Sequence, residues 1–347
     1  MAYKNTNSSA RSLPSPHPLK PQAGLSIIEI MVALLVSTIL LGGVIQIYVG
    51  NQRTSRVGDG LAQLQESARF AVDQISEDIR TAGYLGCVDS RKSANVVANG
   101  VDGTNPVNTA IRGFVADTDG DLSPTPPATL TTTTNLPIAN SDVVMIQRAS
   151  SASMQLSTAM TSETDHVRVG TNNLGVGSDQ VLLISDCDRA VIFRVTAEPY
   201  DDSGDIVFEH DATGNSSNSF DDVAFTDTDN TFIRRFMESA YYVGDTGRTN
   251  SAGSAVRALY RLGIGGQEEL VEGIEQIRVL YGETDASNGS VQYRPADSAG
   301  LSMADVTRVQ IALLVSSTER TLDQSDDNDY QMLDITVQPA ADGGTYA

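Results

Sequence analysis

Residues 24–49 read GLSIIEIMVALLVSTILLGGVIQIYV, and the fold turns on this stretch. It carries a single charge, Glu29; the run from Ile30 to Val49 has none. As a helix that run rises about 30 Å, the thickness of a bilayer core. Apolar residues fall on every side of it, so it does not read as the surface helix of a soluble domain. An ordinary secretory signal fits poorly, because its apolar region is about 7–15 residues long and ends in a small-x-small cut site. Here the run is longer, and YVGNQRTSR (48–56) follows without such a site. Arg53 and Arg56 come so soon after the span that the Lys/Arg balance barely decides its orientation.

Upstream, residues 1–24 (MAYKNTNSSARSLPSPHPLKPQAG) hold Lys4, Arg11 and Lys20, no acidic residue, and prolines at 14, 16, 18 and 21. Such a segment builds no packed element. Glu29 is the anomaly of the span. A carboxylate costs about 2.5–3.5 kcal/mol at the centre of a membrane helix and less near its end. The plain reading is a snorkelling, partly solvated acid; the sharper one is an acid met by a partner charge.

Gly24-Leu25-Ser26-Ile27-Ile28-Glu29, followed by the apolar run, resembles the class III signal of type IV prepilins. That family has a basic leader ending in Gly, a cut just after it, and Glu at the fifth mature position. Counting from Leu25, Glu29 is fifth. The resemblance implies cleavage between Gly24 and Leu25 by a prepilin peptidase, N-methylation of Leu25, and pairing of Glu29 with the terminal amine of a neighbouring subunit. Leu25 stands where the family usually has Phe, the leader is longer than most, and Gln46 replaces the proline found near that position in many major pilins.

Past Val49 the pattern becomes amphipathic. Val57, Leu61, Leu64, Ala68, Ala71, Val72, Ile75 and Ile79 recur at spacings of three and four, with Arg56, Asp59, Glu66, Arg69, Asp73, Glu77 and Arg80 mostly elsewhere. The spacing predicts one helix from Leu25 to about Thr81, roughly 85 Å long, with Gly83 as its stop. Its parts are a membrane segment (25–49) and an amphipathic segment (50–82). Gly42-Gly43 reads equally as a melting point or as a place for close helix packing.

From Tyr84 the chain reads as an α+β head over 83–347, a pilin-like fold dominated by antiparallel strands. Strands are expected at Asp142–Arg148, Gln180–Ser185, Ala190–Thr196, Asp205–Glu209, Thr231–Val243, Ala255–Leu262, Gln276–Tyr281, Val306–Ser316 and Met332–Val337. Asp121–Asn140 and Asp211–Asp222 read as loops. Cys87 and Cys187 lie in no C-x-x-C or Cys/His cluster; in an oxidising compartment they read as one structural disulfide, and otherwise as two buried thiols.

Three stretches sharpen the family. Arg80–Cys87 (RTAGYLGC), Val181–Thr196 (VLLISDCDRAVIFRVT) and Glu269–Gly282 (ELVEGIEQIRVLYG), the last read as a short helical turn feeding a strand, are together similar to the PilW-type minor pilins. The similarity spans most of 24–316, and Leu333–Ala347 lacks the family's basic strand. The ELVEGIE stretch also resembles the J-type pseudopilin of type II secretion.

The formal net charge is −21, and removal of the leader's three cations makes it −24. Such a surface repels nucleic-acid phosphate and anionic lipid, so direct nucleic-acid binding is not expected. Chemistry is sparse. The histidines are His17, His166 and His210, the latter two read as surface residues, and no nucleophile elbow, P-loop or H-E-x-x-H occurs. Gly263–Gly266 and 173–180 (NLGVGSDQ) lack the dinucleotide spacing. Tyr241-Tyr242 reads as the two faces of a strand. Asp117, Asp119 and Asp121 resemble the start of a calcium loop, but the glycine is misplaced and Ala128 stands at the twelfth position. Asp227-Thr228-Asp229-Asn230 and Asp326-Asp327-Asn328-Asp329 are similar fragments, and the plainer reading of all three is a solvated turn.

The resemblance therefore implies a structural, non-enzymatic minor pilin with no catalytic residue, metal or cofactor. It would act in the initiating or tip complex of a type IV pilus, with a prepilin peptidase, other minor pilins, the major pilin, a tip adhesin and the inner-membrane assembly platform as partners. It would sit in the inner membrane with its head in the periplasm before assembly, and in the pilus afterwards. The alternatives are a J-type pseudopilin and a membrane-anchored enzyme or calcium-dependent binding module.

Overall fold

The computed structural model describes residues 24, 26–88, 94–101, 110–220, 223–250, 253–285, 287–318 and 328–338. The leader 1–23, Leu25, and Asp326 and Asp327 of the third acidic fragment lie outside them. One helix, α1, runs over Ile27–Arg80. The chain divides into two units at Ser55–Arg56, so that α1 belongs in part to each.

In the second unit α1 buries Gly60, Ala71, Ile75 and Asp78, with Leu64, Ala68 and Ile79 half-buried. The apolar stripe of the sequence is wider than this face: Val57, Leu61 and Val72 are exposed. Gly60 is buried where the neighbouring Leu61 is exposed. At its end the helix tightens, with the N–H of Thr81 donating to Asp78 and that of Ala82 to Ile79. Gly83 then turns left-handed (φ 74°) and its N–H bonds the Gln147 carbonyl at 2.9 Å. That is a C-terminal glycine stop that ties the helix end to the sheet.

The head begins with β1 (Ala94–Val96), β2 (Ile111–Ala116), β3 (Leu122–Ser123), the four-residue helix α2 (Ala128–Thr131) and β4 (Asp142–Ala149). It continues with β5 (Met154–Gln155), β6 (Val167–Val169), β7 (Val181–Ser185), β8 (Ala190–Arg194), β9 (Tyr200–Asp202) and β10 (Asp205–Phe208). The rest comprises β11 (Phe232–Thr249), β12 (Ala255–Gly263), β13 (Gly266–Glu272), β14 (Ile274–Thr284), β15 (Val291–Arg294), β16 (Val306–Val315), β17 (Tyr330–Met332) and β18 (Ile335–Val337). A ten-stranded sheet has the order β1-β8-β7-β11-β4-β2-β3, with β12, β13 and β5 joined through β11. Smaller sheets are β15-β14-β16, β6-β10-β9 and the hairpin β17-β18. Every pairing of named strands is antiparallel except β1 with β8.

The long strand β11 organises the core through its side-chain alternation. Tyr241 and Val243 join Ala71 and Ile75 of α1, Val144 and Ile146 of β4, and Ile277, Val279 and Tyr281 of β14. Ala240 and Tyr242 point the other way, into a cluster with Phe114, Leu130, Met145 and Tyr260, where the Tyr242 and Tyr260 rings stack at 5.9 Å. Gly113 on β2 is required by packing: a Cβ there would come within 2.2 Å of the Tyr281 hydroxyl.

Several expectations are corrected. Glu269–Gly282 contains no helical turn; it is β13 and β14 broken by Gly273, whose φ of 81° kinks the chain. Leu270, Val271, Ile274 and Ile277 satisfy a helical spacing as well as a strand buried on both faces, and β14 is buried along most of its length. Met332–Val337 is not one strand but parts of two, turning at Leu333 (φ 54°) and Asp334. Thr231–Val243 extends to Thr249. Asp121–Asn140 holds β3 and α2. His210 is not a surface residue: it is 1% exposed.

Cys87, just past the helix, is bonded to Cys187 in the turn between β7 and β8, across a separation of 100 residues. Closing a loop of that size restricts the unfolded chain by about 4–5 kcal/mol in the entropy model. Replacing both cysteines by Ser is expected to lower the urea midpoint of the head accordingly, with secondary structure unchanged by circular dichroism. A midpoint equal to wild type would remove the disulfide from the account of stability.

Candidate assembly segment

The helix start is a local consequence of Ser26-Ile27-Ile28-Glu29. The Ser26 carbonyl accepts the N–H groups of Glu29 (3.0 Å) and Ile30 (3.2 Å), and the Ser26 N–H donates to the Glu29 carboxylate at 3.4 Å. This S-x-x-E geometry is half of a capping box, and it sets an acid at the positive end of the helix dipole. Glu29 is exposed, as are all the described residues of 24–59. Among them Ile27 is 78% exposed, and Met31, Leu34, Leu35, Ile39, Leu40, Val44 and Ile47 are also uncovered.

The helix from Ile27 is long and apolar enough to cross a membrane. Within it the Thr38 hydroxyl is satisfied by the helix itself, donating to the carbonyls of Leu34 and Leu35 at 3.0 and 2.8 Å. Among the described residues its apolar side chains are exposed, a surface of the kind that lipid or other helices cover. Gly42 and Gly43 have no atoms within 4 Å of a built Cβ, and the helix passes through them without a break. Gly24 is equally unconstrained, so among the described residues nothing calls for glycine there.

Two ion clusters tie the head together, one of them through α1. Asp78, 4% exposed, accepts from Arg148 Nε and Nη2 at 3.1 and 2.8 Å and from the Tyr241 hydroxyl at 2.6 Å. Burial, and then the Asp78 carboxylate, push the Tyr241 phenol well above its ordinary value. This contact fastens the helix to β4 and β11. The second cluster is Asp142–Arg278–Asp334. Arg278 on β14 donates to Asp142 at 3.1 and 3.3 Å and forms a two-pronged bridge to Asp334 at 2.8 and 2.7 Å. Asp142 also accepts the Val279 N–H at 2.7 Å. Even so, burial pushes the Asp142 carboxyl up to about 6, while the Arg278 guanidinium is raised by its bond to Asp334. Asp142 moves up because its desolvation outweighs its pairing, whereas Arg278 moves up because its bonds to the two carboxylates outweigh its own desolvation.

The acidic loops are turn caps. Asp117 Oδ1 accepts the N–H groups of Asp119 and Asp121, both at 2.9 Å, in the exposed β2–β3 turn. Asp227 does the same for Asp229 and Asn230. Among the described residues no three His, Cys, Asp or Glu side chains converge on a point that could hold a metal. Sequence reasoning missed Asp78, Arg148, Arg278 and Asp334. Only a charged residue on the buried line of α1 signalled the first of these.

An apolar exposed helix whose continuation packs on a mainly antiparallel sheet is the architecture of a pilin. Residues 19–45 match the family model of the prokaryotic N-terminal methylation motif, and residues 240–347 that of type IV pilus-assembly protein W. The chain therefore has a prepilin-type amino terminus and a PilW-like carboxyl-terminal part, and the two matches support a type IV pilus-related pilin. No curated protein and no solved structure matches it. The family match redraws the resemblance: Glu269–Gly282 lies inside it, whereas Arg80–Cys87 and Val181–Thr196 do not. Leu333–Ala347, read as departing from the family, lies within the matched region.

Proposed function

We propose that this chain is a minor pilin of the initiating or tip complex of a type IV pilus, released from its leader by a prepilin peptidase. The observation that carries the reading is the uncovered apolar helix with Glu29 in its first turn, inside a segment that matches the methylation motif. Cleavage after Gly24 creates an ammonium on Leu25, which is then methylated. Glu29 leaves its own Ser26 N–H and meets the ammonium of a neighbouring subunit, where each removes the other's desolvation cost. Before assembly the subunit spans the inner membrane with its disulfide-bonded head in the periplasm, facing the assembly platform. In the filament it meets other minor pilins, the major pilin and a tip adhesin. A head of this size suits the tip, where neighbours crowd it least. The match to a pilus-assembly protein favours the pilus over type II secretion.

Glu29→Ala tests the charge pairing. The variant is expected to lose its leader at the normal rate, to remain in the membrane, and to fall in pili by at least about tenfold, the equivalent of roughly 1.4 kcal/mol. Normal recovery of Glu29→Ala in sheared pili would refute the role of the carboxylate.

A further inference from the structure

His210 is one of the few buried polar residues of the head, and neither the assembly reading nor the family match involves it. Its ring stacks on Phe220 at 4.1 Å, meets Phe193 of β8 edge-on at 5.7 Å, and lies 5.5 Å from the ring of His166. Its Nε2 bonds the Asp165 carbonyl at 2.8 Å. A carbonyl only accepts, so Nε2 carries the hydrogen and Nδ1 is bare. That Nδ1 is buried without a partner among the described residues, as is Nδ1 of His166.

The ring is the junction of two loops. In the first, the Asp165 carboxylate collects the N–H and hydroxyl groups of Thr161 and Ser162, which hold it below the usual carboxylate range. In the second, the Phe220 N–H bonds the Glu163 carbonyl at 3.0 Å, joining the loop after β10 to the first loop. The Asp211 N–H bonds the Thr196 hydroxyl at 3.0 Å. The titratable groups around the ring are His166, Asp165 and Glu163 on the first loop, and Glu209 and Asp211 beside it in the chain. The Asp165 carboxylate faces Thr161 and Ser162, and that of Glu209 faces Tyr200.

We propose that His210 is an acid-sensitive latch: uncharged, it holds the 157–166 and 209–220 loops shut over β8, and on taking up a proton it releases them. Protonation places a second N–H donor at Nδ1, which has no acceptor in hydrogen-bond geometry among the described residues, puts a charge among Phe193 and Phe220, and sets it against His166; the residue's own backbone and Asp211 favour the charge, and burial outweighs them. Attraction to the Phe220 ring offsets only part of this. Burial correspondingly holds the imidazole below its ordinary 6.5. A depressed imidazole leaves the opened state binding more protons, so stability is lost as pH falls below about 6.5 and regained as it rises. Opening uncovers the apolar cluster beneath, including Val167, Phe193 and Phe225.

Hydrogen exchange of the full chain in detergent micelles at pH 7.5 and 5.0, corrected for intrinsic rates, tests the latch. Protection of 157–166 and 209–220 is expected to fall by up to about tenfold per pH unit below about 6.5, with β14 unaffected. In His210→Phe the ring stack is kept and the two pH values give equal protection. Equal protection in the wild type, or the same fall in His210→Phe, would overturn the proposal. Should that variant not fold, histidine-selective NMR of the wild type decides: a neutral His210 ring at pH 6.5 supports the latch, and a protonated one overturns it.

Discussion

Gly24→Val is expected to leave the precursor uncut, so that intact mass finds residues 1–24 still attached in the membrane fraction and pili contain none of the variant. A Cβ at Gly24 meets nothing within 4 Å, and the helix begins only at Ile27. A larger side chain therefore leaves head and helix as they are, and an effect on processing reports recognition by the peptidase alone. The head provides the control: the urea midpoint of Gly24→Val is expected to equal that of the wild type. Efficient removal of the leader from Gly24→Val would place the cut elsewhere.

Arg278→Met is expected to be the most damaging single change in the head. Arg278 and Asp142 are nearly sealed, and Asp142 is 3% exposed. Removing the guanidinium leaves a buried carboxylate with only the Val279 N–H, and breaking such a pair costs about 3–5 kcal/mol. It also frees Asp334 and with it the β17–β18 hairpin, which otherwise rests on β16 through Leu314, Met332 and Val337. The pH dependence has a definite sign. A carboxyl raised on folding contributes stability that is present below its ordinary value and lost as pH rises through its folded value, already about 6 in the wild type. The loss in Arg278→Met is therefore expected to be larger at pH 8 than at pH 5, as read from urea midpoints. Adding Asp142→Asn, which keeps an acceptor for Val279, restores part of it. A variant as stable as wild type at pH 8 would show that the cluster does not anchor this corner of the head.

These two residues mark what could and could not be read from the chain. Local chemistry was legible: the apolar run after Gly24, the Gly83 stop and the β-branched runs of β4, β7, β8 and β16 all follow from near-neighbour patterns. Glycine-punctuated segments were less so. Gly273 turns one apparent helical turn into two strands, since periodicity alone does not separate a helix from a strand buried on both faces. Leu333, an unlikely residue for a left-handed turn, concealed the β17–β18 hairpin. Long-range pairings were not legible at all. Asp142 and Arg278 stand 136 residues apart and Asp78 and Tyr241 163, and no local signal links them. His210 was misread for the same reason, because its pocket is assembled from three distant segments.

In the proposed function, Gly24–Glu29 converts a membrane precursor into a filament subunit. Intact mass and amino-terminal fragmentation of the chain recovered from sheared pili test it most directly. A chain beginning at Leu25, carrying one methyl group on its amine and present in the pilus fraction, is the expected result. A chain that retains residues 1–24 and occurs only in the membrane would contradict it.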